Sequence, residues 1–311
     1  MHTHQTTDAH EAAAILRRGG LVAFPTETVY GLGAVYNDAD AVAKVFAAKG
    51  RPADNPLIVH IHSVAQLHTL VDHIPPHAQA LIDAFWPGPL TLVLPKHADI
   101  PDFVTTGLPS IAIRCPDHPQ AQTLLKACDI PLVAPSANRS GSPSPTQAQH
   151  VLEDLDGRIE AVFTGPATPL GLESTVVDCT VTPANLLRPG MITLSPLQSV
   201  LPDIQCQSNS ATQPKSPGQK YAHYAPKARV CLIDTVAQLP EDKNIAYIGL
   251  DQPTKTLAKM LLATDLHTYA QALYAFFREC DSQSISTIYA QTVPPQGLGL
   301  ALMNRLQKAA K

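Results

Sequence analysis

Aromatic residues make up only 5% of the 311-residue chain, charged residues only 15%, and there is a single tryptophan. So low a charge excludes a disordered acidic or basic tail, while a hydrophobic share of 45% is enough to bury a core. Cysteine is sparse and scattered, at Cys115, Cys128, Cys179, Cys206, Cys231 and Cys280. There is no C-x-x-C pair and no short disulfide lattice, and Cys231 sits in an apolar segment where a free thiol packs as a small hydrophobe. No apolar run approaches the ~20 residues of a membrane span. The opening residues, Met1 to His10, lack the apolar middle of a secretion signal. A reducing, cytoplasmic location fits this pattern, and without a secretory route the glycosylation-like Asn138-Arg139-Ser140 carries no meaning.

Net charge is −4, which gives no reason to expect a nucleic-acid coat. The total hides a split: residues 1–197 hold 11 Lys and Arg against 18 Asp and Glu, and residues 198–311 hold 11 against 8. The few cations of the acidic part therefore need an explanation.

Proline, by contrast, is abundant at 29 residues and marks many loops. Residues 8–18 read as a helix stopped by Gly19-Gly20, and Leu21 to Phe24 as a buried strand broken by Pro25. Asp38 to Lys49 reads as a helix with Asp38 or Asp40 as N-cap and Gly50 past its end. Further strands are expected at 57–61, 90–94, 111–114, 131–134, 160–163, 174–178 and 184–188. Helices are expected near 63–71, 77–85, 118–128 and 146–155, the last capped by Thr146. The class is mixed α/β. From Leu197 to Ser216 the composition turns to Gln, Ser, Asn, Pro and Thr, as in a linker. Strands near 229–234, 244–249 and 285–290, with helices at 266–280 and 298–309, then suggest a small Rossmann-like open α/β unit. The expected division is 1–196, a linker over 197–227, and 228–311.

Standard nucleotide signatures are missing: no G-x-x-x-x-G-K-[ST] and no G-x-G-x-x-G after a strand. H-E-x-x-H is missing too, and His60-x-His62, with both residues on one side of a strand, is at most half a metal site. What remains is a set of polar loops at strand ends. Pro25-Thr-Glu-Thr-Val-Tyr-Gly-Leu-Gly33 has the hydroxyls and glycines of a ligand crevice, or equally of a tight turn. In Lys49-Gly-Arg-Pro-Ala-Asp-Asn-Pro56 two cations flank a glycine and suit phosphate oxygens. The plainer alternative has Lys49 neutralising a helix end and Arg51 pairing with Asp54. Pro135-Ser-Ala-Asn-Arg-Ser-Gly-Ser-Pro-Ser-Pro-Thr146 offers hydroxyls and amides to an anion, or is an ordinary connection. Arg114 and Arg188 end two further strands. Lys49, Arg51, Arg114, Arg139 and Arg188 thus lie in or beside these loops. If the loops converge, they form a cationic hollow for a small anion, where transfer at phosphorus proceeds by positioning and charge without a protein nucleophile.

Four elements in order, Pro25-Thr-Glu-Thr-Val-Tyr-Gly-Leu32, Lys49-Gly-Arg-Pro52 with Asn55-Pro-Leu57, Pro135-Ser-Ala-Asn138, and Ser216-Pro-Gly-Gln-Lys-Tyr-Ala-His-Tyr-Ala-Pro226, resemble the YrdC-like domain and linker of the longer, two-domain threonylcarbamoyl-AMP synthases. Their joint occurrence is far more specific than any one alone. The resemblance implies a YrdC-like twisted mixed sheet with helices over roughly 8–195, followed by the linker and a C-terminal domain matched in size and placement only. It implies condensation of L-threonine, bicarbonate and ATP, with Mg2+, to threonylcarbamoyl-AMP and pyrophosphate. The product would pass to the transferase machinery that modifies an adenosine beside the tRNA anticodon. Carried over position by position, Thr28, His60, Arg114, Ser174 and the backbone at Ala134 fall where the family holds threonine. Lys49, Arg51, Asn55, Ser110, Ser136, Asn138, Ser144 and Arg188 fall where it holds ATP, with Lys49, Arg51, Ser136 and Asn138 as its recurring K-x-R and S-x-N elements. Tyr221 and Tyr224 would cover the nucleotide as a lid. Gln219 departs from the linker pattern, which commonly carries methionine. A double-stranded-RNA-binding module, the rival from another class, would need a basic surface that residues 1–197 lack. The large carbamoyl-transfer maturation proteins that share this domain carry zinc-finger cysteines and an acylphosphatase-like segment that are missing here.

Overall fold

The computed structural model describes residues 2–52, 54–206, 224–242 and 244–310. Short β1 (His4–Thr6) leads to α1 (Ala9–Arg17), whose N-cap Asp8 accepts from the amides of His10 and Glu11. After β2 (Val22–Phe24) and β3 (Gly31–Val35) comes α2 (Ala39–Lys49). Asp38 caps it through the Ala41 amide, worth about 1 kcal/mol. Gly50 closes it in the left-handed region at φ 60°, which glycine adopts without steric cost. There follow β4 (Ile58–His60), α3 (Val64–Leu67), α4 (Pro76–Phe85), β5 (Leu90–Pro95), α5 (Asp102–Thr105), β6 (Ser110–Arg114), α6 (Pro119–Cys128) and β7 (Leu132–Val133). Then come α7 (Ala148–Leu155), β8 (Ala161–Phe163), β9 (Thr175–Asp178), β10 (Asn185–Arg188) and α8 (Leu194–Val200).

These ten strands form one mixed sheet in the order β1-β8-β2-β3-β7-β4-β6-β5-β9-β10. Part of one face is covered by α1 and α6, whose Leu16, Leu124 and Leu125 pack on Val22, Phe24 and Phe163. The other face carries α2, α4, α7 and α8, through Val45, Leu81, Ile82, Val151 and Leu197. The chain stays on this unit beyond the onset of linker composition: Leu201 and Ile204 are buried in the same core, and Gln205 bridges to Asn185. The second unit is a parallel sheet of β11 (Arg229–Ile233), β12 (Ile245–Gly249), β13 (Lys259–Leu262) and β14 (Thr287–Gln291) in the order β11-β14-β12-β13. It packs on α9 (Leu266–Ser282) and α10 (Leu298–Ala309) through Tyr269, Phe276, Phe277, Leu302 and Leu306. A mixed α/β sheet followed by a small open parallel unit is the architecture expected from sequence.

Three local expectations are corrected. The segment 25–33 is not loop throughout, because Gly31 to Val35 pair with both β2 and β7. The helix expected at 63–71 shrinks to the four residues Val64–Leu67. Thr146 does not cap α7: Gln147 stands at the cap, while the Thr146 amide donates to His150 Nδ1 at 3.2 Å.

Gly190 shows how tightly the end of β10 sits on the strand beside it. A Cβ there would lie 2.5 Å from the Thr175 amide nitrogen and 2.8 Å from the Glu173 carbonyl oxygen, both backbone atoms that cannot yield cheaply. Gly190→Ala is therefore expected to cost about 2–3 kcal/mol, read as a lowered melting temperature of the full chain.

Candidate functional site

Strand alternation sorts the site before any loop closes over it. On β4 and β6, Val59 and Ile113 point into the large core, whereas Ile58 and His60, Ala112 and Arg114 point to the opposite face. That face is not covered by α1 and α6 at this point. Four connections rise around it instead: the β2–β3 turn, the residues after α2, those after β7, and those before β9. They enclose about 590 Å³ of open space, including its mouth. Thr26, Thr28, Arg51, Ile58, His60, Arg114, Ala134, Ser136, Ser174, Arg188 and Tyr224 all contribute to its wall.

The expected convergence thus occurs for Thr28, His60, Arg114, Ala134 and Ser174, and for Arg51, Ser136, Arg188 and Tyr224. Arg114 Nη1 donates to Thr28 Oγ1 at 2.8 Å and Nε to the Gly88 carbonyl at 3.3 Å. Arg188 Nε donates to the Ser174 carbonyl at 3.0 Å and Nη2 to Ser174 Oγ at 3.1 Å, fixing that serine against Thr91. Burial, and then the charge of Arg114, push His60 down to about 3, so the ring is neutral at physiological pH. Its Nδ1 lies 3.3 Å from the Ile58 carbonyl, an acceptor, which assigns the proton to Nδ1 and leaves Nε2 able to accept.

Lys49, Asn55, Ser110, Asn138 and Ser144 lie outside the wall. Lys49 stands behind Ser136: its ammonium donates to the Ser136 carbonyl at 2.5 Å and the Asn138 carbonyl at 2.6 Å, while its own carbonyl accepts from the Ser140 amide at 2.8 Å. Burial, followed by the charge of Arg51, holds Lys49 well below the usual lysine range. Asn138 Nδ2 donates to the carbonyls of Arg139 and Ser142, so its side chain ties its own loop. Asn55 is buried, and neither of its side-chain polar atoms has a hydrogen-bond partner among the described residues. A buried amide left so is costly unless a ligand or water engages it. Ser110 opens β6, at the far end of the strand from Arg114. Arg139 does not join the hollow, because its side chain is exposed. Arg51 does not serve Asp54 alone: its Nη2 donates to the carbonyls of Asn55 and Pro56. Tyr221 lies outside the described residues. His62, beyond the end of β4, meets Asp129 at 3.2 Å, and no cluster of three or more metal-ligating groups occurs among the described residues.

Sequence reasoning missed two carboxylates. Glu27, between the hydroxyls of the first loop, lies 2.6 Å from Arg114 Nη2, with both side chains buried. Glu173, beside Ser174, contributes to the wall and accepts from Ser144 Oγ at 2.5 Å, Tyr274 at 3.1 Å and Arg305 Nε at 2.9 Å. Burial pushes Glu173 up, but Arg305 and Arg188 together with the Ser144 hydroxyl outweigh it and bring the carboxyl to about 2. Tyr224 stacks on Tyr274 with ring centroids 5.6 Å apart, and the Arg305 guanidinium lies 5.4 Å from its ring centre. Tyr274 and Arg305 belong to α9 and α10, so the C-terminal unit forms the back of the hollow. No spacing in the sequence signals that.

Comparison with known proteins places two family models on the chain. One, described as telomere recombination and covering the Sua5, YciO and YrdC proteins, matches residues 14–190. The other, the C-terminal domain of threonylcarbamoyl-AMP synthase, matches residues 192–311. The chain is 44% identical to a threonylcarbamoyl-AMP synthase of Pyrococcus abyssi, over 96% of this chain and 93% of that one. It is 43% identical to a threonylcarbamoyl-AMP synthase of Bacillus subtilis, over 96% and 92%. The crystal structure of P. abyssi Sua5 complexed with L-threonine superposes with a TM-score of 0.92 at 42% identity, covering 99% of this chain and 96% of that one.

Proposed function

The chain belongs to the threonylcarbamoyl-AMP synthase family, and we propose that it condenses L-threonine, bicarbonate and ATP into threonylcarbamoyl-AMP and pyrophosphate. The observation that carries this reading is one hollow whose wall brings Arg51, Arg114 and Arg188 together with Ser136, Ser174 and a neutral His60. Three guanidiniums around one small cavity suit a ligand set with a carboxylate and several phosphate oxygens.

In this reading threonine lies on Arg114, Thr28, His60, Ser174 and the backbone at Ala134. Its amine, having lost a proton, attacks the carbon of bicarbonate; a carbon–nitrogen bond forms, water leaves, and an N-carboxylate results. One oxygen of that carboxylate then attacks the α-phosphorus of ATP, and the bond to the bridging oxygen of the β-phosphate breaks, releasing pyrophosphate. Arg51, Arg188 and Ser136 of the wall, with Asn55, Ser110, Asn138 and Ser144 from outside it, would hold the nucleotide, Lys49 would support the loop that carries Ser136 and Asn138, and Tyr224 with Tyr221 would cover it. No protein nucleophile is required, because positioning and charge lower the barrier. Magnesium enters with the triphosphate as part of the substrate. Glu173, the carboxylate of the wall, is engaged by Ser144, Tyr274 and Arg305 and has little capacity left for a metal ion. Delivery of the product to tRNA-modifying transferase machinery and a cytoplasmic location belong to the same proposal; among the described residues, no helix is long and apolar enough to cross a membrane.

The test is mass-spectrometric detection of threonylcarbamoyl-AMP from ATP, threonine and bicarbonate. Product is expected to vanish when either small substrate is omitted. Serine, lacking one methyl, is expected to compete about 10- to 200-fold less well. Steeply salt-dependent RNA binding with no turnover would favour the RNA-module reading instead.

A further inference from the structure

Arg114 is buried, and an unpaired guanidinium there would attract any small anion that entered the hollow. Its counter-ion among the described residues is Glu27, at 2.6 Å. Glu27 does not belong to the wall, although its neighbours Thr26 and Thr28 do, so it meets Arg114 from outside the hollow. Neither of its carboxylate oxygens makes an aligned hydrogen bond among the described residues, so the charge of Arg114 accounts for its burial. Neighbouring groups do not take over that task. His118 is held below its usual value by burial, against the pull of Glu27 and Asp117, and so supplies no second cation. Glu173, the other carboxylate at the hollow, is matched by Arg305.

Resting on the reading that Arg114 receives the threonine carboxylate, we infer that Glu27 is a specificity-determining residue that makes this subsite select a zwitterionic amino acid over a plain carboxylate. The buried carboxylate lies close to the guanidinium in a medium of low polarity, where charges act beyond contact distance. It repels any bound carboxylate and attracts any bound ammonium. For a zwitterion the two effects oppose each other and largely cancel. For an anion without the ammonium only the repulsion remains. Plain carboxylates are thereby disfavoured by a repulsive element, while threonine is not.

The experiment titrates the full-length chain calorimetrically with L-threonine and with 3-hydroxybutyrate, which is threonine without its amine. Wild type is expected to bind threonine at least about a hundredfold tighter, and Glu27→Gln to shrink that ratio about tenfold by tightening 3-hydroxybutyrate. Glu27→Asp keeps the charge and is expected to hold the ratio within about twofold. An unchanged ratio in Glu27→Gln, with threonine binding lost in Arg114→Met, overturns the inference and leaves the site reading standing. Threonine binding retained in Arg114→Met overturns the site reading itself. Should Glu27→Gln fail to fold, wild type decides: 3-hydroxybutyrate within about threefold of threonine overturns the inference, and a hundredfold gap upholds it.

Discussion

Arg51→Ala and Lys49→Ala should each lower threonine- and bicarbonate-dependent pyrophosphate release by about a hundredfold or more, yet for different physical reasons. Arg51 contributes to the wall of the hollow while its Nη2 is anchored on the carbonyls of Asn55 and Pro56. On the proposed reading its truncation removes a charge placed for the phosphates, so the loss should fall on transition-state stabilisation. Lys49 reaches the loop after β7 through the carbonyls of Ser136 and Asn138. Its removal leaves the buried Asn138 carbonyl, worth about 1–3 kcal/mol, and the part-buried Ser136 carbonyl without a donor, and frees the loop that presents Ser136. Lys49→Ala should therefore show faster amide hydrogen exchange at Ser140 without any ligand, whereas Arg51→Ala, whose lost bonds are to the carbonyls of Asn55 and Pro56, should leave exchange at Ser140 unchanged. Full activity in both variants would remove the site assignment. Equal exchange at Ser140 would return Lys49 to direct phosphate contact.

The contrast between these two residues also marks how far sequence reasoning reached. The K-x-R spacing draws attention to Lys49 and Arg51 together, but only packing reveals that Arg51 contributes to the wall of the hollow while Lys49 stands outside it. Elements governed by neighbouring residues were legible: Asp38 and Gly50 bound α2 because a cap and a left-handed terminus are local chemistry. Strands created by distant partners were not. His4 to Thr6 are polar and form a strand only because residues 161–163 lie beside them, and Lys259 to Leu262 pair with β12 with no alternation to announce it. The site divides in the same way. Loops at strand ends supplied Thr28, Arg114, Ser136 and Arg188. Glu27 sat inside a recognised motif, but an acidic residue in a loop has many ordinary uses, and only its 2.6 Å approach to Arg114 distinguishes it. Tyr274 and Arg305 meet Glu173 across more than a hundred residues of chain, a juxtaposition that no local pattern encodes.

That long-range contact carries the second large effect. Arg305 is fully buried, and its Nε donates to Glu173 while Nη1 donates to the Pro189 carbonyl at 3.0 Å. Removing one member strands the other charge in the junction between the units. Arg305→Met is accordingly expected to cost about 3–5 kcal/mol and to lose activity with stability, because Glu173 would then lose its ion-pair partner and keep only Arg188 as a nearby cation. Glu173→Gln together with Arg305→Met removes both members of the ion pair and should recover much of that stability. The pH dependence follows from the sign of the shift. Glu173 has an ordinary value of 4.5 and falls to about 2 in the folded chain, so the unfolded state binds the proton more readily. The stability that ionised Glu173 draws from Arg305, Arg188 and the Ser144 hydroxyl is therefore present above pH 4.5 and is lost as pH falls toward 2. Melting temperature followed from pH 6 downward should fall through this window in the wild type. It should fall less in the double variant, which has no carboxylate at residue 173 to protonate. Parallel acid limbs in the two proteins would show that the Glu173–Arg305 pair does not hold the units together.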